Sequence, residues 1–107
     1  MTSSDILDRL FAVIDQRRDA DPKSSYTAKL LSDGRSRIAR KFGEEAIEAV
    51  IAATEGDKAA LTAESADVLY HLMVAWADAG ITPADVWAEL ERREGVSGID
   101  EKNSRNV

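Results

Sequence analysis

The 107-residue chain has no cysteine, two prolines, six glycines and only 6% aromatic residues. Without cysteine there is no disulfide framework, no Cys-ligated zinc or iron–sulfur site, and no thiol nucleophile. The longest wholly apolar runs are a few residues, which excludes a membrane-spanning helix. Met1–Asp21 lacks the continuous apolar core of a signal peptide, so the expected location is cytoplasmic. A single domain over residues 1–107 is the expectation from length.

Charge of one sign is also scarce. Fourteen Lys and Arg stand against twenty Asp and Glu, a net charge of −6, which argues against nucleic acid as a partner. The average conceals a dipole. Lys29, Arg35, Arg37, Arg40 and Lys41 place five cations in thirteen residues, opposed only by Asp33. The sign then reverses at Glu44, Glu45 and Glu48.

What is present is helical periodicity. Ile6, Leu7, Leu10, Phe11, Val13 and Ile14 form one apolar stripe, with Ser3 or Ser4 as N-cap, and the helix ends by Asp21-Pro22. A short helix from about Tyr26 to Leu31 is capped by Ser24 or Ser25. A third runs from about Ser36 to Glu55 and stops at Gly56; a fourth follows Asp57 and stops at Gly80. Thr82-Pro83-Ala84-Asp85 opens a fifth helix with a capping box and a proline at its first position. Residues 95–107 read as an irregular tail, and no segment alternates as a strand does. The expected fold is all-α, a bundle of four to five helices.

Glu45 and Glu48 lie three apart, and Glu64 and Asp67 repeat that spacing on the next helix, so each pair shares a helical face. Most surface helices carry one apolar stripe and a broad polar back. Here Ile47, Val50 and Ile51 on one side, and Phe42, Ala46, Ala49 and Ala53 on the other, leave the first pair a narrow polar gap. Leu61, Val68 and Leu72, with Ala63, Tyr70 and Val74, do the same for the second. Both helices therefore read as inner helices with inward carboxylates. Too little chain remains to cover them on both sides, so a homodimer is expected.

Two like charges about 4 Å apart repel by about 4 kcal/mol at an effective dielectric near 20. Converging acids need a compensating cation, and an all-oxygen donor set favours Mg²⁺, with Mn²⁺ as a substitute. A ferritin-like di-iron site needs a Glu-x-x-His on each of two helices, and the chain has one His. Carboxylate-held Mg²⁺ beside a cationic segment suggests metal-assisted phosphoanhydride chemistry on a small-molecule nucleotide.

These residues also carry a resemblance. Ser25-Tyr26-Thr27-Ala28-Lys29-Leu30-Leu31, Lys41-Phe42-Gly43-Glu44-Glu45-Ala46-Ile47-Glu48, Glu64-Ser65-Ala66-Asp67-Val68-Leu69-Tyr70-His71 and the tail Gly98-Ile99-Asp100-Glu101-Lys102-Asn103-Ser104-Arg105 resemble the phosphoribosyl-ATP pyrophosphatase family. Its broader relatives are the MazG-like all-α nucleotide pyrophosphatases, whose house-cleaning members act on dNTPs. The resemblance implies hydrolysis of phosphoribosyl-ATP, Glu45, Glu48, Glu64 and Asp67 as metal ligands, and a dimer with the active site near its interface. Glu44 either serves the attacking water or forms an outward ion pair. Arg35, Arg37, Lys41 and Lys29 are phosphate candidates, Tyr26 a contact for the base, and Lys102 and Arg105 tail residues that could close over phosphates. His71 shares the acids' face, either bonding a ligand carboxylate or tying helices together. Trp76 and Trp87 read as core or interface.

Overall fold

The computed structural model describes residues 3–105. Among them are six α-helices and one 3₁₀ turn, with no strand: α1 (Asp5–Gln16), the turn Arg17–Asp19, α2 (Tyr26–Asp33), α3 (Arg35–Glu55), α4 (Lys58–Ala79), α5 (Pro83–Arg93) and α6 (Gly98–Arg105).

The boundaries follow from local chemistry. Ser25 caps α2 by accepting a hydrogen bond from the Ala28 N–H, and Asp57 caps α4 through the Ala60 N–H. Gly56 and Gly80 adopt the left-handed conformation that ends α3 and α4. Thr82 and Asp85 exchange the two bonds of a capping box with Pro83 at the first helical position. Ser4 precedes α1 without a side-chain cap, while the Ser3 hydroxyl accepts from the Asp5 N–H.

The tail departs from expectation. Glu101 folds inward among arginines, and the segment from Gly98 becomes helical around it: Ser97 Oγ accepts from the Asp100 N–H, and Arg92, Arg93 and Arg105 surround the buried Glu101 carboxylate. Among the described residues the bundle therefore has six helices, not four to five. The end of the tail, 106–107, lies outside the described residues.

α3 and α4 pack against each other along their length, joined by a tight turn. α1 and α2 cover only one end of this hairpin. The core consists of Ile14, Leu30, Ile38, Met73, Val74 and Ala77, flanked by Leu7, Leu10, Phe11, Leu31, Tyr70 and Trp76. It thus draws on the start of α3 and the end of α4. Arg18 reaches across to donate to the Ala77 carbonyl near the α4 C-terminus. Trp76, packed against this core, meets Trp87 of α5 edge to face at 6.0 Å.

The far end of the hairpin projects uncovered. The radius of gyration is 15.8 Å, above the roughly 13 Å of a compact chain this long. On the projecting part of α3, Ile47, Val50 and Ile51 are 62%, 63% and 51% exposed. One chain lacks the helices to bury what the sequence marks as inner.

Candidate active site

The acid pairs face each other across the α3–α4 hairpin. Carboxylate oxygens of Glu45, Glu48 and Glu64 all lie within 4.8 Å of one another. Asp67 stands one step outside this trio, and its charge still raises the pKa of both Glu45 and Glu64. Burial is the first cause that holds Glu45 and Glu64 above the ordinary carboxylate range; Glu48 is the next. Among the described residues, Glu64 Oε2 is buried with no hydrogen-bond partner. An orphaned buried acceptor within an all-oxygen cluster fits a hard divalent cation, which would satisfy the lone pairs and the charge together. This acidic cluster could hold a metal ion.

Beyond Glu48 and Glu64 the hairpin opens into a cavity of about 230 Å³, lined further by Ile51, Ala52, Glu55 and Ala60. Toward the other end stands Lys41, half-buried, with Nζ 3.1 Å from Glu44. That bond, with the charge of Glu44 and then that of Glu45, holds its ammonium above its usual range. Glu44 is exposed and pairs with Lys41 and Arg40, and the Lys41 bond holds its carboxyl below the ordinary range. Glu44 thus forms ion pairs with both neighbouring cations.

The remaining cations divide. Arg37 lies close enough to Glu44 to stabilise its charge. Arg35, ten residues before Glu45, is displaced by roughly 15 Å along the helix and is bound to Asp78 at 2.8 Å. Lys29 pairs with Asp33 within α2 at 3.5 Å, and Arg105 pairs with Glu101 within α6 at 3.2 Å. Lys102 is exposed on α6. Of the basic run, Lys41, Arg40 and Arg37 stand near Glu44, while Arg35 is engaged by Asp78.

His71 is buried beneath the site, with Nδ1 2.8 Å from the Asp67 carbonyl oxygen and Nε2 3.2 Å from the Tyr26 hydroxyl. It bonds the backbone of an acid and not its carboxylate. Thr27, one residue after Tyr26, is hydrogen-bonded to the Tyr70 hydroxyl. Sequence reasoning noted His71 by its register but not this double tie, because Tyr26 and His71 lie 45 residues apart. It also missed Glu101, whose three arginine neighbours come from two helices.

The fold and site define an all-α domain whose central helix pair carries a metal-competent carboxylate cluster beside a lysine. Residues 7–94 match the phosphoribosyl-ATP pyrophosphohydrolase family. Curated relatives called phosphoribosyl-ATP pyrophosphatase include one from Azospirillum brasilense, 61% identical over 96% of this chain and 93% of the relative. Another, from Rhodospirillum rubrum, is 60% identical over 94% of this chain and 86% of its own length. A third, from Dinoroseobacter shibae, is 60% identical over 94% of this chain and 98% of its own. The chain belongs to the phosphoribosyl-ATP pyrophosphohydrolase family.

Proposed function

We propose that this chain hydrolyses the α–β phosphoanhydride of 1-(5-phosphoribosyl)-ATP, releasing 1-(5-phosphoribosyl)-AMP and pyrophosphate, the second step of histidine biosynthesis. Near-full-length identity to phosphoribosyl-ATP pyrophosphatases supports the substrate. The observation that carries the chemistry is the trio of carboxylates within 4.8 Å with one oxygen orphaned. Glu45, Glu48 and Glu64, with Asp67 completing the set, are the residues that would hold Mg²⁺, or Mn²⁺ in its place. Bound there, the ion supplies charge stabilisation for phosphoryl oxygens and acidifies a water.

The chain's own groups do the rest. Lys41, kept protonated by Glu44, offers a fixed positive charge to phosphoryl oxygens, and Arg37 adds a second on the same side. Glu44 pairs with the Lys41 ammonium at the edge of the site. Tyr26, half exposed beside Lys41, is the contact for the purine. The uncovered ridge of Ile47, Val50 and Ile51 supports a homodimer in which a second copy buries it. A polyphosphate substrate does not cross a membrane unaided, and no helix among the described residues is long and apolar enough to span one; we place the reaction in the cytoplasm.

The test is pyrophosphate release from phosphoribosyl-ATP and from a panel of dNTPs, with Mg²⁺ and with chelator. Release from phosphoribosyl-ATP that requires the ion is expected. Release from dNTPs alone would assign the chain to the house-cleaning relatives, and no release would end the reading. Light scattering at micromolar concentration tests the dimer, and a monomer there would refute it.

A further inference from the structure

His71 and Tyr26 form a link that the reaction described above does not require. His71 lies one turn after Asp67 and two after Glu64 on α4. Its Nδ1 approaches the Asp67 carbonyl oxygen at 2.8 Å. A carbonyl oxygen only accepts, so Nδ1 carries the hydrogen, and Nε2 of the neutral ring is then an acceptor. The Tyr26 hydroxyl, 3.2 Å away, donates to it. The next residue of α2, Thr27, is bonded to the next earlier residue of α4, Tyr70. Two adjacent side chains of α2 are thus fastened to two adjacent side chains of α4.

The consequence falls on the Tyr26 ring. It stacks on Tyr70 with centroids 6.2 Å apart and planes 24° from parallel, while His71 meets both phenols edge-on. Tyr26 is nevertheless 48% exposed. Its hydroxyl is held by His71, which is itself bonded to the Asp67 backbone, so the ring stands beside the Asp67 turn of α4. A tyrosine at the start of a helix has rotamers open to it that turn the ring to solvent. The bond to His71 removes them.

We propose that His71 is a positioning residue for substrate: by accepting from the Tyr26 hydroxyl it fixes the Tyr26 ring as a platform on which the purine stacks, in register with the acids through the Asp67 backbone. The proposal rests on the pyrophosphohydrolase reading and deepens it by naming what orients the nucleoside. Flat aromatic faces bind bases by stacking. A platform tied to the ligand-bearing helix sets the distance from base to scissile anhydride, where a free ring sets none.

Four proteins test this: the wild type, Tyr26→Phe, His71→Asn and the double variant. In His71→Asn the introduced amide can still donate to the Asp67 carbonyl but falls short of Tyr26, so both single variants cut the same bond. Each is expected to raise KM for phosphoribosyl-ATP about five- to tenfold, the worth of one hydrogen bond that orients a stacked base, with kcat falling less than twofold. The double variant is expected to be no worse than the worse single one. An unchanged KM in Tyr26→Phe, or effects that multiply in the double variant, would overturn the proposal. Should His71→Asn lose its helical circular dichroism, Tyr26→Leu replaces it, with a larger KM rise expected than for Tyr26→Phe; a wild-type KM there is the overturning result. AMP, titrated by calorimetry into the same proteins, separates the two ideas. Tyr26-dependent AMP affinity without phosphoribosyl-ATP turnover sinks the activity and keeps the platform. Turnover with AMP binding that ignores Tyr26 does the reverse.

Discussion

Mg²⁺ and one carboxamide substitution probe the acid cluster from opposite directions. Without the ion, Glu45, Glu48 and Glu64 hold like charges within 4.8 Å, and the buried Glu64 Oε2 has no partner. Glu64→Gln removes one charge from a repelling group, so in chelator the variant is expected to melt above the wild type. It also removes a ligand. An ion present at a hundred times its Kd stabilises the folded state by about 2.7 kcal/mol. A chain of 107 residues has an unfolding entropy of about 0.2 kcal/mol per K near its midpoint. The wild type should therefore gain roughly 12 °C under that condition. A site weakened a hundredfold gains about 0.4 kcal/mol from the same Mg²⁺, roughly 2 °C.

Circular dichroism melts at one protein concentration, in chelator and across a Mg²⁺ series at matched ionic strength, read both effects. The two midpoints are expected to cross: the variant above in chelator, the wild type above in Mg²⁺. Parallel responses would show that Glu64 does not face the ion. A variant that melts lower in chelator would show that the acids do not repel in the folded state, and the electrostatic argument for the site would fail.

Glu48→Gln and Asp67→Asn are each expected to lose at least about a hundredfold in kcat with unchanged helical circular dichroism; wild-type rates at saturating Mg²⁺ would remove them from the ligand set. Because burial, then Glu48, raise Glu45 and Glu64 above the ordinary carboxylate range, protons compete with the cation at higher pH than for free carboxylates. The Mg²⁺ needed for half-maximal pyrophosphate release should climb as pH falls from neutrality, and a pH-independent requirement would refute this. In chelator the same raised pKa values give the folded chain more bound protons than the unfolded one. Stability should therefore increase as pH falls through the raised values toward 4.5, and melts over that range read it. Leu30 is 2% exposed where α2 meets the core, so Leu30→Ala should cost about 2.5–4 kcal/mol, seen as a lower urea midpoint at constant slope.

The helices of this chain were legible because their signals are local. Gly56, Gly80, Ser25 and the Thr82–Asp85 box each act within a few residues of where they stand. The acid trio was legible for a related reason: spacings of three on two long helices joined by Gly56-Asp57 leave few ways to arrange the carboxylates. The pairing of Arg35 was not legible because a run of cations looks continuous in sequence, whereas on α3 it winds around the helix, and Arg35 meets Asp78 of α4. The tail helix was hidden because Gly95, Ser97 and Gly98 suggest a loop. What orders it is Glu101 against Arg92 and Arg93 of α5, an attraction between separate elements that no local pattern records.

The net charge of −6 misleads for a similar reason, since the segment Lys29–Lys41 carries +4 and the rest −10. The structure shows that the relevant asymmetry lies between the two ends of one hairpin. At the covered end, α1 and α2 press Ile14 and Leu30 onto Ile38, Met73 and Val74, and Lys41 and Tyr26 stand near this rigid base. At the projecting end lie Glu48, Glu64, the cavity and the apolar ridge. Ile51 belongs both to that ridge and to the cavity wall. A second copy seated on the ridge would therefore also wall the cavity and raise the desolvation that already burdens Glu64. Such burial strengthens every charge interaction in the site, those with a cation included. In such an arrangement association and metal affinity would be coupled through Ile51, and a Mg²⁺-dependent shift in the light-scattering mass is the expected sign of it.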